Sequence, residues 1–149
     1  MFSTPFKIIY LAGFIIITVV RKIFIARLRN EKLAVDNKSA LDITFLALNG
    51  IGMIIPLIYV FSAILDFADY LRPDVVGYLG AVFFLCASWL LYRSHADLNR
   101  NWIPTVGLRP DHKLITTGVY KKIRHPMYSA HMIWAIAQAM ILHNWIAGF

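Results

Sequence analysis

Residues 75–92, VVGYLGAVFFLCASWLLY, form a run of eighteen residues without one charged side chain. Such a run is typical of a helix that crosses the hydrocarbon core of a bilayer, which needs about 20 apolar residues. The whole chain agrees, because 59% of its 149 residues are hydrophobic and 15% are charged, whereas soluble domains carry about 25% charged residues. The composition favours a membrane protein and excludes an intrinsically disordered chain. Cys86 lies within this run, and we expect it to be a small buried apolar residue.

Three more apolar stretches accompany this run, and polar segments separate all four. They comprise residues 8–25, 41–67 and 128–145, and their lengths suit membrane crossings. We therefore predict an all-α, polytopic integral membrane protein with about four transmembrane helices. One domain over residues 1–149 is expected for a chain of this length.

The lysine and arginine residues indicate an orientation for these helices. Six of the 15 lie within residues 21–38 and seven within residues 93–124, whereas the connection 66–74 holds only Arg72. Basic connections face the cytoplasm in membrane proteins, so we expect the N-terminus outside and residues 93–127 in the cytoplasm. The net charge of +7 then reflects orientation and contact with anionic lipid, and we do not expect a nucleic-acid partner.

The segment LITTGVYKKIRHPMYSAHMIWAIAQ, residues 114–138, leads into the fourth stretch. Pro126 suits the first turn of a helix, and it favours a capping conformation for the preceding His125. The unpaired N–H groups and positive dipole end of a helix start attract a carboxylate or phosphate. Arg124 adds positive charge there, so the sequence predicts an anion site at the cytoplasmic start of the fourth helix.

Several neighbouring side chains have two possible roles in this region. Tyr120 and Tyr128 offer aromatic faces to a planar base or a cationic centre, but Tyr128 also suits an interfacial aromatic belt, and Arg124 suits contact with lipid headgroups. His131 and Gln138 lie on one helical face, where they suit a hydrogen bond between helices or a contact with substrate. The five histidines show no metal-ligand spacing with a carboxylate, so no metal is expected.

Three segments carry a resemblance to a known family: NWIPT at 101–105, DHKLITTGVYKKIRHPMY at 111–128 and AQAMILHNWIAG at 137–148. They resemble the isoprenylcysteine carboxyl methyltransferases and, more loosely, the phospholipid methyltransferases of the same superfamily. The resemblance implies a membrane-embedded methyltransferase that uses S-adenosyl-L-methionine. The cofactor would bind the cytoplasmic segment, and the methyl group would pass to a lipid-like or prenylated acceptor from the bilayer.

The resemblance also implies which residues contact the cofactor. Together with Arg124, from the analysis of the helix start, the expected contacts are His112, Lys113, Leu114, Ile115, Tyr120, His125, Pro126, Met127 and Tyr128. The catalytic residues stay unassigned, because an ionised carboxylate acceptor needs no general base. An amine acceptor would need one, for which His125 and His131 are the candidates.

Two other functions stay open. Family members continue beyond the fourth helix with a returning helix and a tail, so we expect that C-terminal piece to be absent from this sequence, which ends at Phe149. A truncated, non-catalytic membrane module is therefore one alternative. The other is an NADPH-dependent membrane enzyme of the sterol-reductase type, because those enzymes have a similar arginine-histidine-proline-x-tyrosine turn.

Overall fold

The fold is helical, as the sequence predicts. The computed structural model describes residues 4–28, 35–36, 40–99, 107–108 and 114–149. Four helices make up most of this part of the chain: α1 (Thr4–Leu28), α2 (Ala40–Phe61), α3 (Asp74–Leu98) and α4 (Pro126–Ile141). Two short strands, β1 (Val35–Asp36) and β2 (Gly107–Leu108), pair antiparallel.

Two helices in the described part of the chain are long and apolar enough to cross a membrane. They are Pro5–Ala26 within α1 and Asp74–Leu98, which is the whole of α3. The described residues of α2 include a shorter apolar stretch, Gly50–Phe61. Four crossings therefore remain a prediction.

Helix α3 continues beyond the charge-free run that ends at Tyr92. The guanidinium of Arg93 pairs with the carboxylate of Asp97 one turn later, at 2.8 Å, and such i,i+4 pairs stabilise a helix. The helix ends where Asn99 adopts a φ of 47°. Asparagine is one of the few residues besides glycine that enters this left-handed region readily.

Helix α2 ends before the end of the second apolar stretch. Its last residue is Phe61, and a 3-10 turn at Asp66–Ala68 follows. The Ser62 hydroxyl donates to the carbonyl of Ile58 at 2.7 Å, and the Ile64 N–H donates back to that hydroxyl at 3.4 Å. Local bonds of this kind compete with helix continuation, so the chain turns here although the sequence stays apolar.

Contacts between side chains show that α1 and α4 run in opposite directions. Tyr10 of α1 donates from its hydroxyl to Oε1 of Gln138 in α4 at 3.0 Å, and the rings of Phe14 and Trp134 lie 6.3 Å apart. Moving forward along α1 therefore means moving backward along α4.

Of the two roles considered for Gln138, the bond between helices is the one observed, whereas Nδ1 of His131 contacts the carbonyl of Met127 in its own helix at 2.7 Å.

Helices α3 and α4 pack closely at Gly80. A Cβ atom at this position would lie 2.7 Å from Cβ of Met140 and 3.1 Å from the carbonyl oxygen of Ala137. Only glycine allows the two backbones to approach this far.

Cys86 lies on α3 outside this packed face and is exposed, so the expectation that it is buried was wrong.

A network centred on Asn144 fastens the end of α4 to the turn after α2. The Asn144 side chain is fully buried; its Nδ2 donates to the carbonyl of Leu65 at 2.6 Å and to Oδ1 of Asp69 at 2.8 Å. Its Oδ1 accepts the N–H groups of Ile146 and Ala147, at 3.0 and 2.9 Å. The amide therefore uses donors and acceptor fully, which is what burial of a polar group requires.

Replacement of Gly80 by alanine tests the close packing of α3 on α4. We expect Gly80→Ala to lower the free energy of unfolding by about 1–3 kcal/mol, the usual cost of overpacking, measured by denaturant titration in detergent. Gly52→Ala is the matched control, because a Cβ there meets nothing within 4 Å and alanine favours a helix by about 1 kcal/mol. Equal effects of the two changes would contradict the packing.

Candidate active site

A cavity of about 830 Å³ lies at the end of the bundle away from Asn144. All four helices contribute to its wall, and Met53 is the residue from α2. Cavities that hold cofactor-sized molecules measure roughly 300–1,000 Å³. This is therefore the candidate functional site.

The start of α4 and the turn before it form one wall of the cavity. Six of the residues expected to contact the cofactor line it, as does His131. They are Tyr120, Arg124, His125, Pro126, Met127 and Tyr128. Leu114 and Ile115 are not among the lining residues, and Leu114 is 88% exposed. His112 and Lys113 lie outside the described residues.

Helix α4 begins as Pro126 predicts. His125 occupies the N-cap position and Pro126 the first turn, and the amide of Ser129 is the first to bond within the helix, to the carbonyl of His125 at 3.0 Å. Proline has no N–H, so Met127 and Tyr128 supply the backbone donors that lack a partner inside the helix. These donors and the positive end of the helix dipole favour an anion in the cavity.

Asp97 of α3 fixes the turn that precedes α4. Its Oδ2 accepts the backbone N–H of Val119 at 2.8 Å, while its Oδ1 pairs with Arg93 at 2.8 Å. Gly118 has a φ of 60°, and a Cβ there would collide with the Asp97 carboxylate. Glycine therefore serves both the backbone conformation and the close approach of this carboxylate.

Tyr120 reaches the cavity from this anchored turn. Its hydroxyl donates to the backbone carbonyl of Ser94 at 3.3 Å. Burial, with a smaller contribution from the negative charge of Asp97, raises the pKa of Tyr120 to about 12. The phenol therefore stays protonated and neutral at physiological pH, so it acts as a hydrogen-bond donor and an aromatic surface rather than as a base.

Helix α1 forms the opposite wall, which sequence reasoning did not assign to the site. Its lining residues recur three or four positions apart, as one face of a helix does. They are Phe14, Ile17, Thr18, Arg21, Lys22 and Ile25. The signal in the sequence was the pair Arg21 and Lys22 inside an apolar run, which the positive-inside rule accounts for without any site.

His95 of α3 is another lining residue that sequence reasoning did not assign to the site. It is 3% exposed. Its Nδ1 lies 2.8 Å from the carbonyl of Leu91, and its ring lies 5.2 Å from that of Phe24. These contacts fix the orientation of the ring. Nothing in the sequence distinguished this histidine from the other four.

The charge of the cavity wall has one sign. Arg21, Lys22 and Arg124 line it together with three histidines, and none of the described lining residues is Asp or Glu. Within the described part of the chain, no group of three or more His, Cys, Asp or Glu residues is arranged to hold a metal ion. The wall combines positive charge, aromatic rings and apolar side chains, and so it suits an anionic amphiphile or a cofactor with a carboxylate and a planar base.

Comparison with known proteins identifies relatives of the C-terminal part of the chain. Residues 78–149 match the isoprenylcysteine carboxyl methyltransferase (ICMT) family, which confirms the resemblance drawn from the sequence. Two relatives are a probable protein-S-isoprenylcysteine O-methyltransferase of Oryza sativa subsp. indica, 32% identical over 71 residues, and the protein-S-isoprenylcysteine O-methyltransferase of Schizosaccharomyces pombe, 34% identical over 70 residues.

These matches cover part of each protein. They include 46% and 45% of this chain, and 37% and 30% of the rice and yeast relatives. The chain thus spans about a third of the curated relatives that it matches. The family match begins within α3 and includes α4, whereas α1 and α2 lie outside it.

Removal of the Asp97 carboxylate tests whether it holds the turn before α4. We expect Asp97→Ala to free residues 117–121, because the Val119 N–H loses its acceptor. Trypsin should then cleave after the exposed Lys121 and Lys122 about tenfold faster, as measured by mass spectrometry of the fragments. Asp66→Ala is the matched control, since it removes an exposed carboxylate paired with Lys7 at the other end of the bundle. Unchanged cleavage in Asp97→Ala would contradict the anchoring role.

Proposed function

We propose that this chain, whose residues 78–149 match the ICMT family, is a membrane-embedded methyltransferase that uses S-adenosyl-L-methionine. The acceptor in this proposal is the carboxyl group of a lipid-like, prenylated molecule. The observation that carries the proposal is the cavity itself: the family-matched start of α4 lines one wall, and an apolar and basic face of α1 lines the other.

The residues around the start of α4 have the chemistry that the cofactor requires. The amides of Met127 and Tyr128, together with the guanidinium of Arg124, suit the methionine carboxylate. The rings of Tyr120 and Tyr128 offer flat surfaces for adenine and electron-rich faces for a sulfonium. His125 lies against Tyr128, with the two ring centroids 5.8 Å apart, and so helps to orient that ring.

The main contribution of the protein to this reaction is to position the donor and the acceptor. When bound, S-adenosyl-L-methionine would supply a methyl group on a positively charged sulfur. A carboxylate oxygen of the acceptor would form a bond to the methyl carbon as the carbon–sulfur bond breaks. The electron pair of the broken bond would stay on the sulfur. The products are a methyl ester and a neutral thioether, and no proton is released. His125 and His131 then need not act as bases. Alignment of the two reactants is what the walls of the cavity contribute.

The proposal includes the arrangement in the bilayer. The family match and the two long apolar helices indicate a membrane protein, and the opposite directions of α1 and α4 are compatible with four crossings. The basic connections support an N-terminus outside and a cytoplasmic segment before α4. The donor would then enter from the cytoplasm, and the acceptor from the bilayer.

Cysteine labelling tests this topology. Phe67→Cys and Thr116→Cys each place a thiol at an exposed position, on a Cys86→Ala background. We expect a membrane-impermeant maleimide to label Phe67→Cys in intact cells and Thr116→Cys only after permeabilisation. The Cys86→Ala chain is the control for background labelling. The reverse pattern, or labelling of both sites in intact cells, would contradict the topology.

Cofactor binding tests the assignment of the α4 start. We expect the purified chain in detergent to bind S-adenosyl-L-methionine, and His125→Ala combined with Tyr128→Ala to weaken binding at least tenfold by calorimetry, because the variant loses two aromatic contacts. Tyr128 is 73% exposed, so its removal leaves the core intact. Tyr78→Ala, an exposed tyrosine at the other end of the bundle, is the control.

The same calorimetric measurement distinguishes the methyltransferase from the NADPH-dependent reductase. Binding of NADPH without binding of S-adenosyl-L-methionine would reject the methyltransferase and favour a reductase. Equal donor affinity in the double variant and the unaltered chain would reject the site instead.

A further inference from the structure

The packing of α1 on α4 determines which residues face each other across the cavity. Tyr10 contacts Gln138 and Phe14 contacts Trp134, so four residues forward on α1 correspond to four residues back on α4. Both helices rise by about 1.5 Å per residue. Extending this register by seven residues brings Arg21 level with Met127, in the first turn of α4.

The face of α1 changes character along the cavity. Phe14 is level with Trp134 and Ile17 with His131, and both α1 residues are apolar, whereas Arg21 and Lys22 are basic and lie at the level of the α4 start. The part of the cavity inside the bundle is therefore apolar, and the part at the start of α4 is positively charged. An amphiphile with an apolar body and an anionic head matches this division.

Charge balance favours an acceptor that brings a negative charge. S-adenosyl-L-methionine carries two positive groups and one carboxylate, and the α4 start with Arg124 already suits that carboxylate. Arg21 on the facing wall then adds positive charge that the donor does not neutralise. An amine-headed acceptor would be repelled there, whereas a carboxylate would be attracted by the wall and by the sulfonium.

We propose that Arg21 selects the acceptor: its guanidinium binds the acceptor carboxylate opposite the first turn of α4. This inference rests on the proposed function. Arginine suits the role because its planar fork binds both oxygens of a carboxylate. Because α1 lies outside the family-matched residues, selection of the acceptor belongs to a part of the chain that the family match does not include.

Direct binding measurements test this role of Arg21. The probes are N-acetyl-S-farnesylcysteine and its primary amide, which share a tail and differ in head charge. We expect the unaltered chain to bind the acid at least tenfold more tightly than the amide. Arg21→Gln should abolish that preference and change the affinity for S-adenosyl-L-methionine less than twofold. Arg21→Lys should recover part of the preference, since it restores the charge without the fork.

Lys121→Gln serves as the control for general loss of positive charge, because Lys121 is exposed and does not line the cavity. It should keep the preference for the acid. The elution volume in size-exclusion chromatography in detergent reports whether each variant is folded.

Three outcomes would overturn the inference: equal binding of acid and amide by the unaltered chain, unchanged acid binding in Arg21→Gln, or a loss in Arg21→Gln that falls on the donor. The last would mean that Arg21 binds the donor carboxylate. A chain that binds no donor but prefers the acid in an Arg21-dependent way would reject the proposed function and support the role of Arg21. The two failures are therefore distinguishable.

Discussion

The close approach of α3 and α4 at Gly80 is the constraint on which the rest of the structure depends. It brings the two backbones together near the start of α3 and the end of α4, and because the two helices are antiparallel the C-terminal end of α3 lies beside the segment that leads into α4. Asp97 can then accept the Val119 N–H across 22 positions of sequence. The turn that carries Tyr120 is thereby held against α3, and the start of α4 faces the cavity.

The cavity combines two parts of the chain with different relationships to known proteins. The family-matched part supplies the α4 start and His95, and the part outside the match supplies the whole face of α1. In the proposed function the first part binds the donor and the second binds the acceptor.

Sequence reasoning succeeded where local rules act. Pro126 predicts the helix start, because the geometry of proline alone disfavours other positions, and the residues next to it line the cavity. It failed to predict which way helix faces point. Hydropathy does not show whether an apolar side chain on a membrane helix faces lipid or protein, so the exposure of Cys86 could not be predicted. Nor could the sequence show that α1 presents Arg21 to the cavity. The role of Asp97 depends on a contact between distant residues, which no local pattern reveals.

The network around Asn144 gives the bundle one fixed end. It joins the close of α4 to the turn after α2 through Leu65 and Asp69, and the Arg72 guanidinium adds a bond to the carbonyl of Ile141 at 2.9 Å. The cavity lies at the other end, where Asp97 and Tyr120 connect the turn before α4 to α3. The hydrogen bond between Tyr10 and Gln138 links α1 to α4 on the Asn144 side of the cavity, so we expect any separation of these two helices that admits a ligand to be widest at the level of Arg21 and the α4 start.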